Sequence, residues 1–381
     1  MSLHAEVIPN ERDTPRLTPG EARAFLARAA QLFESRPFKP HRLFQNGHAQ
    51  TIAAYVWPRS FRFSAERDEA RFFKVATDVK VLAHCRWQAN PAEHPTIVVW
   101  HGIEGSTSSN YMLAIAEKGF QAGFNIIRVN IRNCGGTEHL TPTLYHGGLS
   151  EDLGVVVKEL IEVDRLSNLF LVGFSLGGNL VLKLAGEYAD DPPKEILGVC
   201  AVSPSVDLSA SSELITKRSN WIYQRDFVRR LKKRIRTKHQ LYPGLYDISG
   251  LRSVRTLKNF DDRFTASTHG FADANDYYYR SSSIRVSDKI RVPTLIIHGQ
   301  DDPFIPFAPL CSPSIADNPY ILLLAPKQGG HVAFITHRPR GSANSHLPDA
   351  DRFWAENRII EFCKLASEEC LEYRPIRPTH F

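Results

Sequence analysis

The stretch from Asn168 to Leu182 constrains the fold more than any other part of the sequence. It opens with the apolar run 169–172, which is typical of a strand buried in a parallel sheet. Apolar residues then recur at helical spacing, at Leu180, Val181, Leu184, Ala185 and Tyr188. The period changes at Ser175, inside the pattern Gly173-x-Ser175-x-Gly177. Strand, glycine-flanked serine and helix together predict a nucleophile elbow, a sharp turn that holds the serine in strained backbone geometry. The alternative is a glycine-rich turn whose serine has no chemical role.

Strand and helix patterns alternate from residue 96 onward, which predicts an α/β fold with a mostly parallel central sheet and helices on both faces. The predicted strands are 96–100, 125–129, 169–172, 197–202, 293–298 and 320–324, and the clearest helices are 111–121, 150–163 and 175–188. The alternation breaks between Ser203 and Arg291, where helices and loops predict a cap over the strand ends. We therefore expect an N-terminal extension with one helix (1–40), a core (41–203 and 292–370), an inserted, mainly helical cap (204–291) and a tail (371–381).

Two further elements are predicted near the N-terminus. Thr18-Pro19-Gly20-Glu21 has the spacing of a capping box, so a helix should begin there. Its apolar face consists of Ala22, Phe25, Leu26, Ala29 and Phe33. Because the polar face mixes both charges, packing against the main domain is favoured over binding at a membrane surface. The runs 71–76 and 80–87 predict an antiparallel hairpin at a sheet edge.

Candidate site residues follow the strands, where sites form in open parallel sheets. Ser175 needs a base to accept its proton, and we assign that role to His331, which follows two glycines after a late strand. The third member should be a carboxylate that orients the histidine. We choose Asp302 because it directly precedes a proline in His-Gly-x-x-Asp-Pro, which leaves Asp301 as a loop carboxylate. The order serine, carboxylate, histidine is that of the α/β-hydrolase fold.

An oxyanion in the reaction needs two backbone N–H donors. Leu176 follows the serine and should supply one of them, and the loop after the first parallel strand should supply the other. In that loop we favour the amide of Ile103 over that of Gly102, and Gly102 is expected to line the substrate pocket. His101 and His298 directly end strands, and a structural role and a functional role both stay open for them.

The bulk composition excludes several function classes. The 381 residues carry a formal net charge of only +6, much of it in one segment, so nucleic-acid binding is not implied. No dinucleotide or nucleotide motif occurs, and a metal site of Asp301, Asp302 and histidines lacks the usual spacing, so neither a cofactor nor a metal is expected. The six cysteines form no Cys-x-x-Cys pair and are interpreted as packing residues: Cys85, Cys134, Cys200, Cys311, Cys363 and Cys370. No apolar run reaches membrane-spanning length, and residence in the cytoplasm is expected.

Beyond the elbow, the sequence resembles the branch of α/β-hydrolases known as YheT-type or embryogenesis-associated hydrolases. The resemblance covers roughly residues 40–365. It rests on Asn46-Gly-His-x-Gln-Thr51, His101-Gly-Ile-Glu-Gly-Ser106 with Ser109 and Tyr111, Asn130-x-Arg-x-Cys-Gly-Gly136, Tyr145-His146, Asp152-Leu153, Asp276-Tyr277-Tyr278, Asp301-Asp302-Pro303-Phe304 and Gly329-Gly-His-Val332. It implies a Ser175, Asp302, His331 triad and an esterase or lipase-like activity on carboxylic esters, with acyltransferases among the relatives. Arg132-Asn133-Cys134 departs from the more usual Arg-Gly-Cys.

Three functions follow from these expectations. The leading one is hydrolysis of a small-molecule carboxylic ester through an acyl-enzyme, with short- to medium-chain acyl esters or lipid esters as substrates. The second is transfer of the same acyl group to an alcohol, since a triad does not decide which nucleophile attacks. The third is a binding protein that keeps the fold without catalysis, which an intact triad disfavours.

The cap should contain a basic amphipathic helix between residues 219 and 238. Tyr223, Phe227, Leu231 and Ile235 repeat every four positions and should face inward, where Phe227 and Leu231 would wall the acyl pocket. Cations should cover the remaining surface: Arg225, Arg229, Arg230, Lys232, Lys233, Arg234 and Arg236. This surface is interpreted either as a solvated charged face or as a face that associates weakly with anionic membranes.

Overall fold

The computed structural model describes residues 17–61, 68–337 and 351–372. Within these residues, eight strands form one sheet in the order β1-β2-β4-β3-β5-β6-β7-β8. The strands are β1 (Glu69–Ala76), β2 (Val79–Arg86), β3 (Thr96–Trp100), β4 (Asn125–Val129), β5 (Leu169–Phe174), β6 (Ile196–Val202), β7 (Thr294–Ile297) and β8 (Ile321–Leu324). β2 pairs antiparallel with β1 and β4, and the other neighbours are parallel. The mostly parallel sheet and the edge hairpin are both confirmed.

The helices of the described residues follow the predicted alternation. They are α1 (Pro19–Glu34), α2 (Gly47–Val56), α3 (Asn110–Gln121), α4 (Ser150–Glu162), α5 (Leu176–Glu187), α6 (Leu208–Thr216), α7 (Trp221–Leu241), α8 (Leu257–Phe260), α9 (Ser267–His269), α10 (Ala274–Ser281), α11 (Pro313–Ala316) and α12 (Trp354–Glu372). No helix in these ranges is both long and apolar enough to cross a membrane. The capping box of α1 is present, and its predicted apolar face is buried.

The hydrophobic core lies on both faces of the sheet because alternate side chains of each strand point to opposite sides. In β3, Val98 and Trp100 join the core cluster that includes α4 and α5, whereas Ile97 and Val99 join the one that includes α1, α3 and α12. All five residues of β3 are buried. Burial on both faces explains why this strand is a continuous apolar run rather than an alternating one.

Between β6 and β7 the described chain contains helices and turns but no strand. Helix α7 packs its buried side chains into a separate core with α8 and the π-helical turn Asp261–Ala266. These elements lie over the carboxyl ends of the strands, since Leu231 of α7 and Asp261 both line a cavity that reaches Ser175. The first sixteen residues of the expected N-terminal extension, and the tail beyond Glu372, lie outside the described residues.

Two expectations from the sequence are wrong. All six cysteines were interpreted as packing residues, but Cys311 is exposed. Cys85, Cys134, Cys200 and Cys363 are buried free thiols, and the side chain of Cys370 lies outside the described residues. Arg234 is not on the surface of α7 but is buried against the body. Its spacing of eleven residues from Tyr223 is three helical turns, which places it near the inward stripe rather than opposite to it.

Candidate active site

Ser175 occupies the turn between β5 and α5, with φ of 53° and ψ of −116°. A non-glycine residue in this region is strained, and the neighbouring structure must hold it there. The glycines beside it allow this close packing. A Cβ on Gly173 would lie 2.2 Å from the carbonyl oxygen of Gly177, and a Cβ on Gly177 would lie 2.6 Å from that of Trp100. The elbow therefore presents the serine at the carboxyl end of the sheet.

Asp302 and His331 form a hydrogen-bonded pair after β7 and β8. The Nδ1 of His331 lies 2.8 Å from Oδ2 of Asp302. The other carboxylate oxygen accepts hydrogen bonds from the amides of Phe304 and Ile305. Burial alone would raise the pKa of Asp302, but the adjacent His331 and these hydrogen bonds hold it below its usual value. An ionised Asp302 fixes a proton on Nδ1 and leaves Nε2 free to accept one.

Asp301 has a different neighbour. Its Oδ1 accepts a hydrogen bond from the amide of Gly330 at 2.9 Å, so it binds the backbone of the histidine loop rather than the imidazole. Burial raises the pKa of Asp301. The two adjacent carboxylates thus point to different parts of one loop.

Helix α2 supports the histidine loop from the other side. The backbone amide of His331 donates to Oγ1 of Thr51 at 2.9 Å. The side-chain oxygen of Gln50 accepts from the amide of Ile335 at 2.8 Å, in the same loop. Gly47 lies so close to the acid loop that a Cβ there would meet the carbonyl oxygen of Asp301. The Asn46-to-Thr51 motif, to which the sequence assigned no role, is therefore the start of a helix that packs against both loops.

Ser175 and His331 line the same cavities. No hydrogen bond joins the Oγ of Ser175 to the imidazole within the described structure, although both side chains are nearly buried. Such hydrogen bonds are often long in the absence of substrate and shorten when it binds. The serine, the histidine and the acid are thus brought to one place, with the histidine already oriented.

The loop after β3 lies against the elbow. A Cβ on Gly102 would come within 2.9 Å of the Cβ of Ser175, so no larger residue fits there. The amide of Gly102 donates to the hydroxyl of Tyr111 at 3.0 Å. By contrast, the amides of Ile103 and Leu176 donate to no group among the described residues. These are the two donors that the sequence singled out.

A buried ion pair connects this loop to the cap. Arg234 of α7 donates from Nε to Oε1 of Glu104 at 2.7 Å and from its terminal nitrogen to Oε2 at 3.1 Å. Arg234 also donates to the carbonyl oxygen of Asn133. Glu104 directly follows Ile103 and has a φ of 54°, and Tyr145 donates to its carboxylate. The conformation of the loop thus depends on a side chain from the cap.

Two cavities meet at Ser175. The wider one has a volume of about 630 Å³ and is lined by α2, the loop after β3 and the start of α7. The narrower one, about 110 Å³, runs under the cap and is walled by Phe227, Leu231 and other mostly apolar side chains. Its polar wall includes Asp261, whose carboxylate accepts hydrogen bonds from Thr265 and Tyr278 at 2.7 Å each. The pocket residues expected from the sequence therefore lie in these cavities: Gly102 in the wider one, Leu231 in the narrower one and Phe227 in both.

Among the described residues, neither of the two strand-end histidines is hydrogen-bonded to Ser175, Asp302 or His331. His101 is fully buried: its Nδ1 lies 2.7 Å from the carbonyl oxygen of Gly102, and its Nε2 accepts from the amide of Ile131. Burial lowers its pKa to about 4, so it stays neutral and holds the loop. His298 is buried and stacks on Phe307. Among the described residues, no group of three or more His, Cys, Asp or Glu could hold a metal ion.

The sequence motifs contain Thr51, Glu104 and Tyr111, but sequence reasoning gave these residues no supporting role, and it placed Arg234 on the surface. The asparagine before Gly47 could have signalled the start of α2, since its side chain caps the helix by accepting from Ala49. The other contacts join residues far apart in the chain, such as Arg234 and Glu104, and no local pattern indicates them.

Comparison with known proteins agrees with this architecture. Residues 95–338 match the family model of the α/β-hydrolase fold. The relative that bears the name "Putative esterase YheT", from Escherichia coli (strain K12), is 32% identical over 344 residues, covering 88% of this chain and 95% of the relative. The embryogenesis-associated protein EMB8 of Picea glauca is 24% identical over 388 residues, covering 98% of this chain and 81% of the relative.

A solved structure shares the fold. The esterase Pf2001 of Pyrococcus furiosus gives a TM-score of 0.51 at 16% identity, over 81% of this chain and 97% of that structure. At this identity the similarity shows the architecture alone, and the sequence relatives show the branch. The chain belongs to the α/β-hydrolase family, in the YheT-type branch that also includes the embryogenesis-associated protein.

Proposed function

We propose that the protein is a serine hydrolase that cleaves carboxylic esters through an acyl-enzyme. The observation that carries the proposal is the hydrogen bond that a buried, ionised Asp302 accepts from His331, whose ring lines the same cavities as Ser175. The relatives support it, because one of them bears the name esterase.

In the first half of the reaction, His331 Nε2 accepts the proton of Ser175 as its Oγ attacks the ester carbonyl. Asp302 stabilises the imidazolium that forms, because its carboxylate already accepts the Nδ1 hydrogen bond. The amides of Ile103 and Leu176 donate to the developing oxyanion. The imidazolium then returns the proton to the leaving alcohol, and the acyl group stays on Ser175.

In the second half, His331 accepts a proton from water as the water attacks the acyl-enzyme. As the second tetrahedral intermediate collapses, the imidazolium of His331 returns its proton to the Oγ of Ser175, the bond from Oγ to the acyl carbon breaks, and the carboxylic acid is released. The cycle needs no group beyond these side chains, amides and water.

The two cavities suggest how the ester is held. The narrow cavity beneath the cap is mostly apolar and suits a short- or medium-chain acyl group, with Phe227 and Leu231 along its wall. The wide cavity also reaches Ser175 and suits the alcohol portion. The enzyme should therefore discriminate more strongly between acyl chains of different length than between different alcohol portions.

A fluorophosphonate probe tests the proposal because it reacts only with activated serines. The serine oxygen displaces fluoride from the phosphorus, so the intact protein should gain the mass of one probe less hydrogen fluoride, and peptide mapping should place the adduct on Ser175. The Ser175→Ala variant and heat-unfolded protein serve as controls and should remain unlabelled. Absence of labelling on the folded protein, or labelling at another residue, would refute the assignment.

A further inference from the structure

Large apolar side chains that are exposed to solvent lie at and beside the wide cavity. They lie on one face of α2 and at the start of α7: Ile52, Tyr55, Val56, Trp221 and Ile222, each between 52% and 73% exposed. Three of them, Ile52, Tyr55 and Ile222, line the cavity itself. Exposed apolar side chains are normal when scattered, but a group around one opening marks an interaction site.

The two helices form one continuous surface. The side chain of Arg230 in α7 donates to the hydroxyl of Tyr55 in α2 at 3.1 Å. Near the same junction, the rings of His48 and Tyr223 stack with their centroids 5.7 Å apart. Because these contacts join α2 to the first turns of α7, the apolar side chains of both helices belong to a single rim.

A basic stripe continues from this rim along α7. Arg225, Arg229, Lys233 and Arg236 are exposed and follow Ile222 at intervals of three or four residues, so they share its face of the helix. The whole helix carries eight arginines and lysines against one aspartate. Burial, together with repulsion from Arg236 and Arg255, lowers the pKa of Lys232, which reflects the local excess of positive charge.

We propose that the rim and the basic stripe together dock on an anionic lipid surface, with the mouth of the wide cavity facing the lipid. The apolar side chains of the rim would enter the boundary between headgroups and acyl chains, while the stripe would attract the negative headgroups. This proposal rests on the proposed function only in taking the wide cavity as part of the active site. It implies that a substrate can pass from the lipid surface to Ser175 without crossing water.

Charge distinguishes this occupant from a second copy of the chain. In a symmetric dimer the same patch of both copies meets, so two basic stripes would face each other and repel. An anionic lipid surface instead complements the stripe and accepts the apolar rim at the same time. The structure therefore favours lipid over self-association.

Vesicle co-sedimentation of the full-length protein tests the proposal. The probes are vesicles of phosphatidylcholine alone and vesicles in which phosphatidylserine replaces part of it. Two double variants remove the two components: Val56→Ser with Trp221→Ser for the rim, and Arg225→Glu with Arg236→Glu for the stripe. None of these four residues lines either cavity. A matched control is Phe72→Ser with Val163→Ser, two similarly exposed apolar residues at the edge strand and at the end of α4.

The wild-type protein should bind vesicles with phosphatidylserine and bind phosphatidylcholine weakly. Each cation removed should weaken binding by about fivefold, and charge reversal should do so more strongly. Loss of the rim should weaken binding to both vesicles, and the control should bind like wild type.

All of these double variants should hydrolyse a soluble ester at the wild-type rate, which shows that they fold. Binding by the Ser175→Ala variant separates docking from catalysis, so an inactive protein that still binds leaves the docking proposal intact.

Equal binding of the wild type to both vesicle types, or wild-type binding by both double variants, would overturn the proposal. So would a dimer in light scattering that Trp221→Ser dissociates, since the rim would then pair two copies.

Discussion

The choice of acid at the site depends on which of two adjacent carboxylates faces His331. Asp302→Asn should lower kcat by about a thousandfold or more, because an amide cannot stabilise the imidazolium and favours the wrong tautomer. Asp301→Asn is the matched control. Its remaining oxygen can still accept from the amide of Gly330, so kcat should fall by less than about tenfold. Steady-state kinetics of both variants on one soluble ester decides the matter, and the opposite ranking would move the role to Asp301.

Among single residues, those with a chemical signature were accessible from the sequence and those with a supporting role were not. Ser175 has a glycine two positions away on each side and His331 directly follows two glycines, because these turns pack closely against other backbone, and the glycines make the pattern visible. Thr51 supports the amide of His331 from 280 positions away in the chain. A threonine on a helix gives no local sign of such a contact.

At the scale of elements, α7 and the loop after β3 are coupled through Arg234 and Glu104. Arg234→Met should leave Glu104 as an unpaired buried carboxylate, with a stability loss of about 3 to 5 kcal/mol. Because Glu104 follows Ile103, we expect the amide of Ile103 to be misplaced. The measured kcat should then fall by about tenfold or more, approaching the loss of kcat that follows when one oxyanion-hole donor is removed. KM should change little.

A matched control lies one turn further along the same helix. Lys238 is also buried, but its ammonium donates to the carbonyl oxygens of Glu138 and Thr141, away from Ile103. Lys238→Met should therefore reduce the temperature of unfolding while kcat stays near wild type. If both variants lowered kcat equally, Arg234 would act only through general stability.

The inward face of α7 should set the acyl-length preference. Leu231→Ala or Phe227→Ala enlarges the narrow cavity, so kcat/KM over p-nitrophenyl esters should shift toward longer acyl chains. Leu231→Ala should also cost about 2 to 5 kcal/mol of stability. Ile235→Ala is the control, because Ile235 is buried in the cap core but does not line the cavity. An unchanged chain-length profile in the Leu231 variant, or the same shift in the control, would place the acyl group elsewhere.

Among the elements, two fully buried strands were predicted with their observed bounds, and one partly exposed helix was not predicted. β3 and β4 coincide with their predicted ranges, because a strand covered on both faces is a short apolar run between polar turns. Helix α2 was not predicted, since its exposed face carries Ile52, Tyr55 and Val56 and the apolar period is obscured. The burial of two cations of α7 was also not predicted. Arginine and lysine normally lie on the surface, and Arg234 and Lys238 are buried only because other elements supply their partners.

At the scale of the whole molecule, Asp261 makes stability depend on pH. Its carboxyl group is fully buried, and burial raises its pKa to about 6. Between the ordinary value of about 3.9 and about 6, the folded protein holds a proton that the unfolded chain has lost. Stability should therefore fall as pH rises through this window, by about 3 kcal/mol in total, and this contribution should stay constant above it.

Asp261→Asn should remove that dependence. The free energy of unfolding of the wild type minus that of the variant, from urea denaturation, should decrease from pH 4 to pH 6 and then level off. Taking the difference cancels the other groups that titrate in the same range. A difference that does not change with pH would show that Asp261 titrates alike in the folded and unfolded states.

The central claim is that ester cleavage proceeds through Ser175, and the most direct test is kcat/KM of Ser175→Ala on a soluble p-nitrophenyl ester. Removing the nucleophile from a triad that acts as a unit should lower kcat/KM by several orders of magnitude, about a thousandfold at least. Thermal unfolding should remain close to that of the wild type, because the substitution removes only one hydroxyl. Retention of more than about a tenth of the wild-type kcat/KM by a folded variant would contradict the account.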